Sequence, residues 1–246
     1  MSQVFKQDGQ NASGQPEGTT SRSRTSITYT AMREDIIKGV LEPGLKLKIE
    51  DLSTRYNVGS SPIREALSLL TSDALVARND QRGFRVVEAS INEFDELLKT
   101  RIWLEQRALE ESFKHGRTQW EEDIILATYR LSRISRSSSA DEFIVNNHWE
   151  DLHKKYHMAL ISACGSSILL KFCDQLYDRN TRYRHLTGPY AYPKREINTE
   201  HANLSEAVLE RDSKKTLSLL IDHYSSTGEL LRKNIEKRTK GIFRQT

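Results

Sequence analysis

The sequence predicts a mainly α-helical chain in two parts: a small head of three helices and a β-hairpin, then an antiparallel bundle of six helices. Three observations carry this. Residues 48–68, KIEDLSTRYNVGSSPIREALS, read as helix, tight turn, helix. Residues 75–87, LVARNDQRGFRVV, hold two short runs with β-branched residues around a polar, glycine-bearing loop. From residue 90 onward, apolar residues recur at helical spacing in long segments separated by glycine, proline and serine.

The bulk properties narrow the class. A chain of 246 residues has room for two modest domains. It is 37% hydrophobic and 29% charged, as a soluble protein is, and no run of about 18 apolar residues could span a membrane. The first 25 residues are rich in Gly, Ser, Gln and Thr and lack the apolar stretch of a secretory signal, so they read as a disordered tail. Residues 26–89 then form the head and 90–238 the bundle, with a second tail over 239–246. Cys164 and Cys173 make no disulfide framework, and a reducing cytoplasm is the expected location. A net charge of +3 does not by itself argue for a nucleic-acid partner.

In the head, Ile27, Met32, Ile36, Ile37 and Val40 approximate one helical face, and Gly39 with Pro43-Gly44 ends that helix. Ile49, Leu52 and Tyr56 mark a short second helix. Asn57-Val58-Gly59 supplies the turn, because Asn and Gly tolerate left-handed backbone. Ser60 or Ser61 suits the N-cap of the third helix and Pro62 its first position, where no N–H is needed. Ile63, Ala66, Leu67 and Leu70 share the inward face, which leaves Arg64 on another face in the first turn. Such a helix start can enter a DNA major groove, and arginine suits both base edges and phosphates. With the hairpin as a wing, this is a winged helix-turn-helix, and Arg82 at the wing tip is placed to reach a phosphate or the minor groove. Over residues 1–90, twelve Lys/Arg face eleven Asp/Glu, so the case rests on where the arginines sit.

The head resembles the DNA-binding domain of the GntR superfamily of bacterial regulators. Leu41-x-Pro43-Gly44, Pro62-Ile63-Arg64-Glu65-Ala66-Leu67 and Arg82-Gly83-Phe84 are the matching words. The resemblance implies DNA contacts from Arg64, Ser61, Arg82 and Gly83, with Ser60 and Pro62 at the same helix start. Where the family usually carries an arginine two residues before the proline, this chain has Ser60.

In the bundle, residues 91–115 form one amphipathic helix stopped by Gly116. Thr118 is expected to cap the next, a third runs from about Asp141 to Ala163, and a fourth runs from Ser167 to before Gly188-Pro189. A fifth begins near Pro193 and the last after Asp212. Seven histidines occur, and His153 and His157, four apart, share one helix face. His201 and His223 lie in inward-facing patterns of two other helices. Two imidazoles from one helix and one from each of two others is how a bundle assembles a metal site, and imidazole suits Zn, Ni, Cu and Fe. Taken singly, each histidine is more simply a hydrogen-bonded core residue.

The bundle resembles the FCD effector domain of the FadR group within GntR. Arg101-x-x-Leu104-Glu105, His157-x-x-Leu160, Glu200-His201 and His223 carry the likeness. It implies a divalent metal held by an Asp and three His, beside a small carboxylate effector. The three His match His157, His201 and His223, and His153 stands where the Asp usually is. Arg101 matches the arginine that pairs with the carboxylate, and Arg182 and Arg184 are candidates for a basic pocket wall. Residues 149–186 further resemble regulators of glutarate and 2-hydroxyglutarate use.

Together these readings predict a non-enzymatic transcriptional regulator. It would be a repressor released by a small organic acid, binding double-stranded operator DNA as a homodimer. A metal-dependent enzyme and a sensor of the ion itself are the alternatives, and an enzyme would have no use for the winged head.

Overall fold

The computed structural model describes residues 23–79, 83–139, 141, 143–191 and 196–242. The head holds α1 (Arg24–Ile37), β1 (Lys46–Leu47), α2 (Ile49–Tyr56), α3 (Ser60–Ser72), β2 (Val76–Asn79) and β3 (Gly83–Val86). The strands form an antiparallel sheet in the order β1-β3-β2, with Val76 opposite Val86 and Leu47 opposite Phe84. β1 is a third strand beyond the predicted hairpin. Its two residues are too short to show an alternating pattern.

Asn57 takes the left-handed conformation at φ 51° and turns α2 into α3. The N-cap of α3 is Gly59, with no side-chain cap bond. Ser60 is therefore the first helical residue and Pro62 the third, two places later than the sequence suggested. The first four N–H groups of a helix have no intrahelical partner, so proline is tolerated there equally well. Ile63, Leu67 and Leu70 close on Met32, Ile36, Leu52 and Val86, all buried. Ile27 is exposed, and Thr28 takes the inward place expected of it.

The bundle holds α4 (Ile91–His115), α5 (Thr118–Ser132), α6 (Asn147–Ile161), α7 (Ser167–Ala191), α8 (Ile197–Leu209) and α9 (Ser213–Ile242). Ser90 caps α4 by accepting from the Glu93 N–H, and Arg117, not Thr118, occupies the cap position of α5. α6 starts six residues later than predicted. Asn146 stops the helix there by accepting from the N–H groups of His148 and Trp149, and Val145 is already in an isolated antiparallel bridge to Ser137. α7 runs through Gly188-Pro189 to Ala191. The predicted tails were too long where they meet helices, since α1 begins at Arg24 and α9 extends to Ile242. Gly228 lets α9 approach α4, because a side chain there would collide with Leu98. Trp120, Trp149, Tyr156 and Leu160 belong to the bundle core.

Head and bundle meet chiefly along α7. Arg33 of α1 pairs with Asp178 at 2.5 Å, and Arg182 donates to the Val87 carbonyl. Leu67 is fully buried at the centre of the head core. Leu67→Ala is expected to destabilise the head by about 2–5 kcal/mol through lost transfer energy and a residual cavity. Chemical denaturation followed by head-specific probes checks this, and an unchanged midpoint would contradict it.

Candidate functional site

Two surfaces collect the residues singled out above. On the head, Arg64 projects from the first turn of α3 and is exposed, as are Ser60, Ser61 and Gly83. Pro62 is half-buried beside it. Arg64 shares a groove of about 340 Å³ with Lys46, Lys48, Arg78, Gly83 and Phe84. The β1 strand brings in Lys46, the cap position of α2 brings in Lys48, and the β2–β3 hairpin brings in Arg78. The guanidinium of Arg78 lies 6.0 Å from the Phe84 ring centroid. Gly83 sits at φ +82°, which a glycine adopts without penalty. Ser61 donates to Glu65 at 3.2 Å, and Thr25 of α1 donates to the other oxygen of that carboxylate at 2.7 Å. Arg82 lies outside the described residues.

In the bundle, the four histidines converge. His153 and His157 come from α6, His201 from α8 and His223 from α9, and all four are buried. One nitrogen of each lies within 4.8 Å of the others. The Nε2 atoms of His153 and His157 are 3.0 Å apart. Trp149 stacks on His153 with ring centroids 4.4 Å apart. Outer partners orient the rings. Tyr224 Oη lies 2.9 Å from Nδ1 of His157, and Glu200 Oε2 lies 2.7 Å from Nδ1 of His223. Tyr177 Oη and Arg184 Nη1 lie 2.6 and 2.9 Å from Nδ1 of His153. Of these, the tyrosine and carboxylate partners can accept from a ring nitrogen, as outer-shell bonds that fix ring orientation around metal ions do, whereas Arg184 only donates.

The electrostatics keep two of these rings neutral. Burial, then neighbouring imidazole and arginine charge, push His153 and His157 well below the ordinary histidine value of 6.5. Neutral rings keep the lone pairs that a metal needs. Tetrahedral zinc–nitrogen bonds place donors about 3.4 Å apart, so the donor set fits one ion with modest closure.

Arg101 enters from α4. Its Nε donates to Glu105 at 2.6 Å, Nη1 to Asn180 at 3.2 Å and Nη2 to Tyr224 at 3.0 Å. Burial is the largest influence and lowers its pKa, but Glu105, Tyr224 and Tyr177 together outweigh it and raise it. Arg101, Arg184, His153, His157 and His223 line a cavity of about 30 Å³, together with Arg136. A cavity of that size holds about two waters.

Arg182 does not join them. It is buried on the opposite side of α7 against the Val87 carbonyl, and burial lowers its pKa. Two positions separate Arg182 from Arg184, which is about 200° around a helix, so the pair cannot share one wall. The reading of the sequence missed Arg136, Glu150, Tyr177 and Tyr224. Arg136 lies beyond the end of α5, where no periodicity points anywhere. The two tyrosines do lie near residues singled out in the sequence, Tyr177 two helical turns before Arg184 and Tyr224 directly after His223. Among the described residues no helix is long and apolar enough to cross a membrane.

Comparison with known proteins adds to the geometry. Residues 25–86 match the family described as bacterial regulatory proteins, gntR family, and residues 96–226 match the FCD domain. The chain is 38% identical over 211 residues to the uncharacterized HTH-type transcriptional regulator BphR of Paraburkholderia xenovorans (strain LB400), covering 86% of each. It is 30% identical over 199 residues to the HTH-type transcriptional repressor GlaR of Escherichia coli (strain K12), covering 79% of this chain and 90% of that one. Among solved structures, E. coli McbR/YncC superposes with a TM-score of 0.71 at 19% identity, over 87% of this chain and 99% of that one. At that identity the likeness speaks for the fold.

The depressed histidines set a pH dependence. Below about pH 6.5 the unfolded chain takes up protons on these two rings while the folded chain does not. Stability is therefore lost as pH falls through the unfolded value, by up to about 1.4 kcal/mol per pH unit for each ring. Urea titrations of metal-free protein are expected to give a lower midpoint at about pH 5.5 than at about pH 7.5. The difference should shrink in a His153→Phe variant, and an equal shift in that variant would remove His153 from this account.

Proposed function

This chain belongs to the GntR family of bacterial regulatory proteins and carries its FCD domain, and within that family we propose a metal-assisted, carboxylate-responsive repressor. As a family member it is a DNA-binding transcriptional regulator and not an enzyme. The finer reading is carried by one observation: four buried imidazoles point at one place beside arginines, beneath a head with a basic groove.

His157, His201 and His223 would hold a divalent ion such as zinc or nickel, with His153 in the place of the family's Asp. The ion would supply a positive centre for an anion's oxygen. Arg101 is held by Glu105, Asn180 and Tyr224 with its guanidinium at the cavity, and Arg184 flanks His153. Both would orient a small organic acid. Arg182 has no part in that pocket. The cavity is small, so the acid must be compact or the walls must part on binding.

Arg64 and the start of α3 would read the major groove of a pseudo-palindromic operator, with Lys46, Lys48 and Arg78 on phosphates. One short helix reads few bases, so a homodimer would present two heads, acting in the cytoplasm. Effector binding releases DNA only by favouring a dimer geometry in which the heads no longer match the half-sites. GlaR bears the name of a repressor, which supports release as the sign of regulation here.

Arg64→Ala is expected to weaken operator binding by about 1–3 kcal/mol if it contacts a base edge. Gel shifts on an operator selected from random DNA check this, and unchanged affinity would remove Arg64 from the interface. His157→Ala and His223→Ala are each expected to strip the metal, read by elemental analysis of purified protein. Full occupancy in both would end the ligand assignment. A thermal-shift screen of small mono- and dicarboxylates, with and without zinc, tests the effector class. Stabilisation only when acid and zinc are both present is expected, whereas operator release by zinc alone would favour a sensor of the ion.

A further inference from the structure

Helix α7 has two working faces. Tyr177, Asn180 and Arg184 face the histidine cavity or its rings. Asp178, Arg182 and His185, at helical spacing on the other side, face the head. Arg184 connects the two. Its Nη1 lies 2.9 Å from Nδ1 of His153, and its Nη2 lies 2.5 Å from Oε2 of Glu150. The other oxygen of Glu150 lies 3.4 Å from Nε2 of His185. Nδ1 of His185 lies 3.1 Å from the carbonyl of Ile37, the last residue of α1. A chain of polar contacts thus runs from the histidine cluster to the end of a head helix, its Glu150–His185 step an electrostatic contact and not a hydrogen bond.

The directions of its end bonds are fixed by chemistry. A guanidinium only donates and a carbonyl only accepts. Arg184 therefore donates into Nδ1 of His153, which leaves the proton of that neutral ring on Nε2, facing His157. His185 donates from Nδ1 to Ile37. A ring that ligates an ion through Nε2 carries its proton on Nδ1 instead, and Nδ1–H cannot accept from Arg184. The Tyr177 hydroxyl, also at Nδ1 of His153, donates or accepts and so can stay in either state. Arg184 cannot.

We propose that ligation of His153 and the Arg184–His153 bond exclude each other, and that Glu150 and His185 pass this choice to α1. This rests on reading the histidine cluster as a metal site. When His153 ligates, Arg184 keeps Glu150 as its anionic partner and loses its ring acceptor. The Glu150 charge also lies beside the His185 ring, so the field at that ring, and with it the hold on the Ile37 carbonyl, changes when Arg184 shifts. α1 then acts on the recognition helix, because Thr25 bonds to Glu65 within α3 and Tyr29 to Asp73 at its C-cap. The two arrangements of Arg184 are the two-state element that coupling between distant sites requires. Glu150, Arg184 and His185 are positioning residues here.

The test uses the full chain with zinc alone as the probe. Hydrogen–deuterium exchange of residues 36–41 is expected to change by about fivefold on zinc binding, the worth of one hydrogen bond. In His185→Ala the zinc stoichiometry should be kept and the head response lost. His185→Asn, whose amide nitrogen replaces Nδ1, should fold where alanine does not and restore the response. Histidine-selective 15N spectra should show one buried ring moving its proton from Nε2 to Nδ1 on adding zinc. An alanine variant that responds like the parent, a parent that binds zinc with no change at 36–41, or a His153 that keeps its Nε2 proton would each overturn the proposal. A parent that takes up no zinc would overturn the metal reading itself and this proposal with it.

Discussion

Burying charged and polar side chains in a helical bundle is costly unless each finds a partner, and the arrangement around Arg101 and Arg184 follows from that cost. Arg101 lies between the rings of Tyr177 and Tyr224, with Glu105 as its counter-charge four residues along the same helix. Arg184 has Glu150. The two carboxylates neutralise the guanidinia without occupying the cavity, so cationic groups line a space that stays open to an anion. Remove Glu105 or Glu150 and an uncompensated charge remains inside the bundle.

The imidazoles obey the same constraint in neutral form. The low proton affinity of His153 and His157, caused first by burial and then by neighbouring imidazole and arginine charge, keeps these two rings neutral in one small volume. A carboxylate at position 153, as the family resemblance leads one to expect, would bring a negative charge close to Arg184. Histidine there is neutral and offers Arg184 a single nitrogen acceptor. On the reading proposed above, histidine at this position would leave the site more positive than a carboxylate would, beside an arginine of α7.

α7 belongs to both surfaces at once. Its 25 residues are long enough to line the cavity and to brace the head. Arg182 illustrates the division. It reads as a pocket residue from its place beside Arg184, but helical geometry turns it to the domain junction, where it holds the Val87 carbonyl at the end of the wing sheet.

The head's helix-turn-helix, the six bundle helices and the four histidines as a group were legible along the chain. Each rests on local rules: apolar spacing, glycine stops, and imidazoles on inward faces. The sequence also placed Arg64 on an outer face, since Ile63, Ala66, Leu67 and Leu70 claim the inner one. Only the tertiary structure decided the rest. β1 exists because β3 offers it an edge, α6 begins at Asn147 because Ser137 pairs with Val145, and Arg136, Tyr177 and Tyr224 join the site from distant parts of the chain. Periodicity tells which way a side chain faces on its own helix. It does not tell which helix lies opposite, and partners across a gap are fixed only when helices pack.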